Sequence, residues 1–301
     1  MKSVPPELIF VTDDTPFAKL CIDITFYWRG SMFDRGAALS EAYYRALAPV
    51  KDSMTYYESG TMAGSKKIKA DSFDMVPFWL TKGKRREDIF MMTLKSGCSV
   101  DSIADTVIQF FADEEDEPAM GGLTLSVPVS WSSKPAELLE LARSIAAAAD
   151  FESGHCGFSL AWDPGGDSTS DAMGRMPGLA GRFLGVDLPK LNTTVACLQR
   201  SASPKIKSVQ WLTFLGSAVV AELGGDAAVD ARLPNLAKTH RTRTGVLIQA
   251  GPAPTLGDVN RQADITALKE VGHALAAARV GGHGAIFGTR EQTCAWLARF
   301  D

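Results

Sequence analysis

Val209-Gln-Trp-Leu-Thr-Phe-Leu-Gly216, Leu223-Gly-Gly-Asp226 and Gly245-Val-Leu-Ile-Gln-Ala-Gly-Pro-Ala-Pro-Thr-Leu-Gly-Asp-Val-Asn260 are the stretches whose reading decides the fold. The first is an aromatic and apolar run of strand length, Val209 to Leu215. Ser217 to Leu223 is spaced as a helix, and Gly224-Gly225 stops it, because glycine enters the left-handed conformation of a helix end at little cost. Val246 to Gln249 is a second, short apolar strand. After it, Gly251-Pro-Ala-Pro254 and Gly257-Asp258 fix a tight extended turn, since proline withholds an N–H and glycine accepts positive φ. Trp211, Phe214 and Leu215 are large apolar groups in a strand and read as core. The turn reads first as a connector, with a rigidly presented recognition loop as the functional alternative.

Working outward, strands and helices alternate in both directions. Lys19 to Tyr27 is a strand, with Asp23 and Thr25 opposite Ile22 and Ile24. Arg35 to Leu47 has helical spacing and Pro49 ends it. Met54 to Lys84 has no clear period and carries two basic clusters, Lys66-Lys-Ile-Lys69 and Lys82-Gly-Lys-Arg-Arg86. Ile89 to Leu94 reads as a strand, Val100 to Phe111 as an amphipathic helix, and Gly122 to Trp131 as a strand by its alternation of Leu123, Leu125, Val127 and Val129. Ser132-Ser-Lys-Pro135 starts a helix that covers Ala136 to Ala149. Gly157 to Trp162 is a strand, and the turn cluster Asp163-Pro-Gly-Gly-Asp-Ser-Thr-Ser170 is the candidate hinge, with a short helix after it. Asp264 to Arg279 and Glu291 to Phe300 are helices. Without a steady βαβ rhythm, this order predicts an α+β fold of mainly antiparallel sheets covered by helices. The chain divides either into halves of similar size, 1–164 and 171–301, or forms one continuous domain.

Composition narrows the function. The 301 residues are 46% hydrophobic and 22% charged, enough for a sizeable core and against large-scale disorder. A net charge of −4 gives no general electrostatic affinity for nucleic acid, so no direct nucleic-acid partner is expected. The five cysteines are odd in number and widely separated, which points to reduced, mostly buried thiols rather than a disulfide framework. The amino terminus places two prolines and a glutamate where a signal peptide needs an apolar core, and no run approaches the length of a membrane span. A cytoplasmic protein without a membrane partner is expected; the oligomeric state stays open.

The quoted stretches resemble the signature half of the TsiV-like family of type VI secretion immunity proteins. The likeness is strongest from Leu179 to Arg279 and thinner from Leu20 to Pro164. Its specific elements are the Val209–Gly216 strand, the Leu223-Gly-Gly225 helix stop, and Ile248-Gln-Ala-Gly-Pro-Ala-Pro254 followed by Leu256-Gly-Asp-Val-Asn260. The resemblance implies an immunity protein that binds and neutralises a cognate effector toxin, a nuclease of restriction-endonuclease type, in the producing cell. It implies no catalytic motif and transfers no contact residues. Two other readings stand beside it: an enzyme with a pocket between the halves, and an accessory component of the secretion system.

The enzyme motifs fail on geometry. His155 and Cys156 are adjacent on a strand, so their side chains point to opposite faces and cannot act as base and nucleophile. Gly281-Gly-His-Gly284 follows a helix and lacks the lysine of a phosphate loop; it reads as a helix-to-strand connection with His283 in a mobile turn. His240 lies in a basic stretch, Lys238 to Arg243, that reads as a solvated loop. Asp163 and Asp167 lack the ligand spacing of a calcium loop. No catalytic, cofactor or metal residue is assigned.

One charge feature carries a functional reading. Asp113-Glu-Glu-Asp-Glu117 reads most simply as a solvated loop. A nuclease holds phosphates in a basic groove, and carboxylates offered to that groove compete with phosphate and speed encounter. Glu140 and Asp150 would extend such a patch. Tight binding also needs buried anchors, and Phe73-Asp-Met-Val-Pro-Phe-Trp-Leu80 offers Phe78 and Trp79, which core packing would equally explain. The partner-binding set is therefore Asp113, Glu114, Glu115, Asp116, Glu117, Phe78 and Trp79.

Overall fold

The computed structural model describes residues 9–12, 15–82, 89–98, 103–162 and 167–300. The amino-terminal stretch 1–8, the basic cluster at 83–86, the start of the expected helix at 100–102 and the Pro-Gly-Gly turn at 164–166 lie outside them.

One sheet organises the chain. Its strands are β1 (Ile9–Thr12), β2 (Thr15–Arg29), β3 (Tyr56–Ser59), β4 (Lys66–Lys67), β5 (Ile89–Lys95), β6 (Val107–Asp113), β7 (Met120–Pro128), β8 (Ser153–Trp162), β9 (Val186–Asp187), β10 (Leu212–Gly216), β11 (Ala237–Thr242) and β12 (Gly245–Ala250). The spatial order is β11-β12-β10-β8-β2-β7-β6-β5-β3-β4, with β1 paired to β2 and β9 to β8. Among the described residues these strands pair antiparallel except β9, which runs parallel along β8. The α+β reading therefore stands. The sheet passes without a break through β8, β2 and β7, and its midline falls between β2 and β7.

The helices are α1 (Gly36–Leu47), α2 (Met75–Lys82), α3 (Pro135–Ala146), α4 (Asp167–Arg182), α5 (Leu191–Gln199), α6 (Ser217–Glu222), α7 (Asp226–Arg232), α8 (Thr266–Leu275) and α9 (Arg290–Leu297). Strand alternation sets which face each covers. Along β2, Ile22, Ile24, Phe26 and Trp28 point one way and pack with Leu123, Leu125, Phe110 and the buried Leu39, Tyr43 and Ala46 of α1. With α2 and α3, α1 forms the cover of this first face. On the second face Tyr27 and Met120 pack against Val195 and Leu198 of α5. Leu215, Val246 and Ile248 pack against Leu268, Val271 and Leu275 of α8. Gly121 and Gly122 on β7 make this possible: a Cβ on Gly121 would enter the Trp28 ring, and one on Gly122 would stand 2.6 Å from Leu191.

Several sequence expectations are corrected. Val107 to Phe111, expected in a helix, is strand β6, because its period of two buries Ile108, Phe110 and Ala112 and pairs with both β5 and β7. Lys238 to Thr242, expected as a loop, is strand β11, hydrogen-bonded to β12 across a hairpin. The short helix after the expected hinge is the 16-residue α4. The glycine-rich segment before α9 leads into that helix rather than into a strand, and His283 is 1% exposed. The helix stop at Gly224 and Gly225 is as expected, with φ of 93° and 89°. All five cysteines are free; Cys21, Cys156 and Cys197 are buried and Cys98 is exposed.

Candidate functional site

Two arrangements stand out from the scaffold, one sealed inside it and one on its surface. The sealed one lies on the second face where β8 meets β9. Register places His155 on the same face as Asp23, Thr25 and Ser159. Asp187 on β9 accepts from Lys207 Nζ at 2.7 Å and from His155 Nε2 at 3.1 Å. Lys207 also donates to the Leu188 carbonyl at 2.9 Å. Burial would raise the Asp187 carboxyl, but the charges and hydrogen bonds of Lys207 and His155 outweigh it and hold it well below the usual range. Asp23 goes the other way. Burial raises it, against the polar surroundings of Ser126 and the Cys21 thiol, which donates to it at 3.3 Å and favours its charged form.

His283 closes the cluster from the chain's end. Its Nδ1 lies 2.7 Å from the Gly284 carbonyl, which can only accept, so Nδ1 carries the proton. In the neutral ring Nε2 then accepts from the Thr194 hydroxyl at 3.2 Å. Burial pushes the ring down to about 4. Asp23, Asp187 and His283 are perturbed titratable groups of the kind an enzyme reading asks for. Yet Asp23, His155, Asp187, Lys207 and His283 are each 4% exposed or less. They are closed to solvent, and among the described residues no group of side chains has the makings of a metal site. Their chemistry is that of an internal ion pair joining β8, β9 and the loop before β10.

The surface arrangement begins at the acidic run. It forms the loop between β6 and β7. Asp113 Oδ1 accepts the backbone N–H of Glu115 and Asp116 at 3.1 and 3.4 Å, which shapes the turn. Glu114 accepts the N–H of Met32 at 2.7 Å and ties the loop to the one following β2. Glu115, Asp116 and Glu117 are exposed. Asp150 belongs to the same end of the sheet, where its carbonyl accepts from Arg35. Glu140 is paired with Arg143 on α3.

Phe78 and Trp79 lie apart from this run. Both are on α2, over the first face; Phe78 is 56% exposed, and Trp79 packs its ring 5.8 Å from Phe90. Asp113 points to the second face. The structure thus does not bring the expected anchors and the expected rim together on one face. The turn Gly251 to Asp258 is pinned rather than presented: Gly185 donates to the Leu256 carbonyl at 3.0 Å and Arg182 grips Asp258 at 3.0 and 3.1 Å. Arg182 also holds the Asp258 carboxyl below its ordinary value.

Beside the acidic run is a feature the sequence reading passed over. On β5 and β6 the first face is buried, through Phe90, Met92, Leu94, Ile108, Phe110 and Ala112. Among the described residues the second face is open: Ile89 is 52% and Met91 39% exposed, and Thr93, Val107, Gln109 and Phe111 are half-buried. The signal was present in Ile89-Phe-Met-Met-Thr-Leu-Lys95, whose apolar residues fall on both strand faces although only one has a cover.

A family model described as type VI immunity for VRR-NUC matches residues 38–300. The chain belongs to this TsiV family. Its match runs from within α1 through α9, so the acidic run, the open face and all of the sealed cluster except Asp23 lie within the TsiV region. A solved Pseudomonas aeruginosa T6SS protein, PA0821, has the same fold as this TsiV chain. Its TM-score is 0.80 at 21% sequence identity, with 96% of this chain and 84% of that one covered. A comparison with curated proteins finds no match. Among the described residues of the TsiV chain no helix is long and apolar enough to cross a membrane.

Proposed function

We propose that this protein binds a VRR-NUC nuclease effector of type VI secretion and neutralises it in the cytoplasm of the producing cell, acting by contact rather than by catalysis. The observation that carries this is the family match over residues 38–300. Two features support it. The titratable groups that converge are closed to solvent, and the exposed carboxylates Glu115, Asp116 and Glu117 stand on a loop braced at Asp113 and Glu114. Carboxylates held in place beside a phosphate-binding groove attract it at long range and occupy the positions that DNA phosphates would take. Phe78, backed by Trp79, is a candidate apolar anchor for a separate contact on α2, over the opposite face of the sheet.

The test is co-purification with the nuclease domain of the effector encoded beside it, followed by titration of DNA cleavage. A stable complex that abolishes cleavage near one-to-one stoichiometry supports the reading. A folded, active nuclease that the protein neither binds nor inhibits refutes it. The run itself is tested by Asp113→Asn, Glu115→Gln and Asp116→Asn together. The first of these keeps a side-chain oxygen that can still accept the two loop N–H groups, so the turn is preserved while the charge is removed. Association should slow about tenfold at low salt and lose much of its salt dependence. Unchanged rates at every salt concentration would remove the run from the mechanism.

A further inference from the structure

We infer that the second face of β5 and β6, open at Ile89 and Met91 among the described residues, is the surface on which the nuclease effector docks, with Ile89, Met91 and Phe111 at its centre. The inference rests on the immunity reading and adds to it where the contact is made.

Register lays this face out in four rows. Lys67, Tyr56, Lys95 and Val107 form the first, and Glu58, Thr93 and Gln109 the second. Met91 and Phe111 form the third, and Ile89 and Asp113 the fourth. The rows pass from basic, through polar and apolar, to an apolar–acidic end that continues into Glu114–Glu117. Ile89 and Met91 are large, exposed and two residues apart on one strand, so they make a shared patch rather than scattered single exposures. α5, which covers β7 on this face, reaches only as far as Phe111.

The charge order selects the occupant. A nuclease groove lined with lysine and arginine to hold phosphates complements the Asp113–Glu117 end, while Lys67 repels it at the other end and so fixes its orientation. Size makes the same point. With seven residues in β5 and in β6 and four in β3, the face measures at most roughly 14 by 23 Å, on the order of 300 Å². A stable complex takes about 800 Å² from each partner. The patch is thus the dry centre, and the acidic loop and its surroundings are the rim. Thr93 and Gln109 supply hydrogen bonds inside it.

The experiment uses the full chain and the purified nuclease domain. Met91→Arg and Ile89→Asn, each at an exposed position and each checked for an unchanged melting temperature, should weaken the complex at least about 30-fold, as loss of an interface hot spot does. Lys238→Glu on the far edge strand β11 should change it less than about threefold. Hydroxyl-radical footprinting of the unaltered chain provides a measure that needs no variant. Oxidation of the Met91 thioether should fall sharply when the complex forms.

The outcomes separate. If the wild-type chain does not bind the nuclease, the immunity reading falls and this inference falls with it. If it binds, but both variants bind normally and Met91 oxidises as fast in the complex, docking on this face is wrong and the immunity reading survives. Loss of binding by Phe78→Arg in that case would move the contact to α2. If Met91→Arg instead abolishes self-association of the free chain and leaves nuclease binding intact, the face joins two copies and the inference is overturned.

Discussion

Acidification should weaken this fold through one buried ring. His283 is 1% exposed, with Nδ1 committed to the Gly284 carbonyl and Nε2 to the Thr194 hydroxyl. Burial puts its folded-state value at about 4, against about 6.5 in the unfolded chain. The unfolded state therefore binds the proton first. Stability is complete above about pH 6.5 and falls as the pH drops from there to about 4, by about 3 kcal/mol for a gap of some 2.5 units. At about pH 5 the loss is roughly 2 kcal/mol. Asp187 acts in a different window: its folded value lies below the usual one, so its ion pair is lost only as the pH falls beneath about 4. Urea titrations at about pH 8, 6.5 and 5 would measure the effect in the wild type and in His283→Gln. The glutamine amide can still donate to the Gly284 carbonyl but cannot titrate. The variant should start less stable, yet lose about 2 kcal/mol less between the highest and lowest pH. Parallel curves, agreeing within about 0.5 kcal/mol, would refute the assignment of His283 as the proton-linked group.

Three further outcomes follow from the interior. Lys207→Met leaves Asp187 buried with only His155 beside it and should cost about 3–5 kcal/mol in denaturant unfolding, whereas adding Asp187→Asn should restore at least about 1 kcal/mol; strict additivity would show the pair to be uncoupled. Gly121→Ala forces a methyl into the Trp28 ring and should lower stability by about 1–3 kcal/mol, visible as a drop in melting temperature and a changed Trp fluorescence spectrum; a neutral result would mean that β7 can shift. Arg182→Met removes both hydrogen bonds to Asp258 and should open the Gly251–Asp258 turn to limited proteolysis, with resistance equal to wild type counting against the clamp.

The fold was legible where a single strand or helix contains its own signal. The alternation of β2 and β7, the stripe of α1 and the glycine stop after α6 each depend on residues a few positions apart. β6 misled because Ile103, Ala104, Val107 and Ile108 fit a helical spacing as well as a strand's, and only pairing with β5 and β7 decides between them. β11 misled because Lys238, Thr239, His240 and Arg241 show no apolar alternation. Its conformation comes from the ladder to β12, with Arg241 paired to Asp226 and Asp230. The sealed cluster was illegible for a related reason. Asp187 and Lys207 are 20 residues apart, and His155 joins them only because β9 runs beside β8. The acidic run was visible as charge; that it borders a bare apolar face was not, because exposure of Ile89 and Met91 depends on where α5 ends.

That asymmetry bears on the surface mechanism. Between β2 and β12 the sheet is covered on both faces, and the internal pair of Asp187 with Lys207 cross-links the second cover to it. Beyond β7, among the described residues, the same sheet continues with only one face covered. A bare apolar face invites aggregation unless it is kept small and interrupted by polar groups, and Thr93, Gln109, Glu58 and Asp113 interrupt this one. What is gained is rigidity. Side chains on a central ladder are held by their backbone hydrogen bonds before a partner arrives, so docking orders few of them and spends little conformational entropy. An inhibitor that must capture a nuclease before it reaches the chromosome needs both that preorganisation, for slow release, and a charged rim, for fast encounter. Met91 and Glu115 should then separate kinetically. Altering the first should raise the off-rate and leave association unchanged, while neutralising the second should slow association at low salt and leave the off-rate unchanged; surface-plasmon kinetics in which both variants change the same rate constant would show that centre and rim are not distinct.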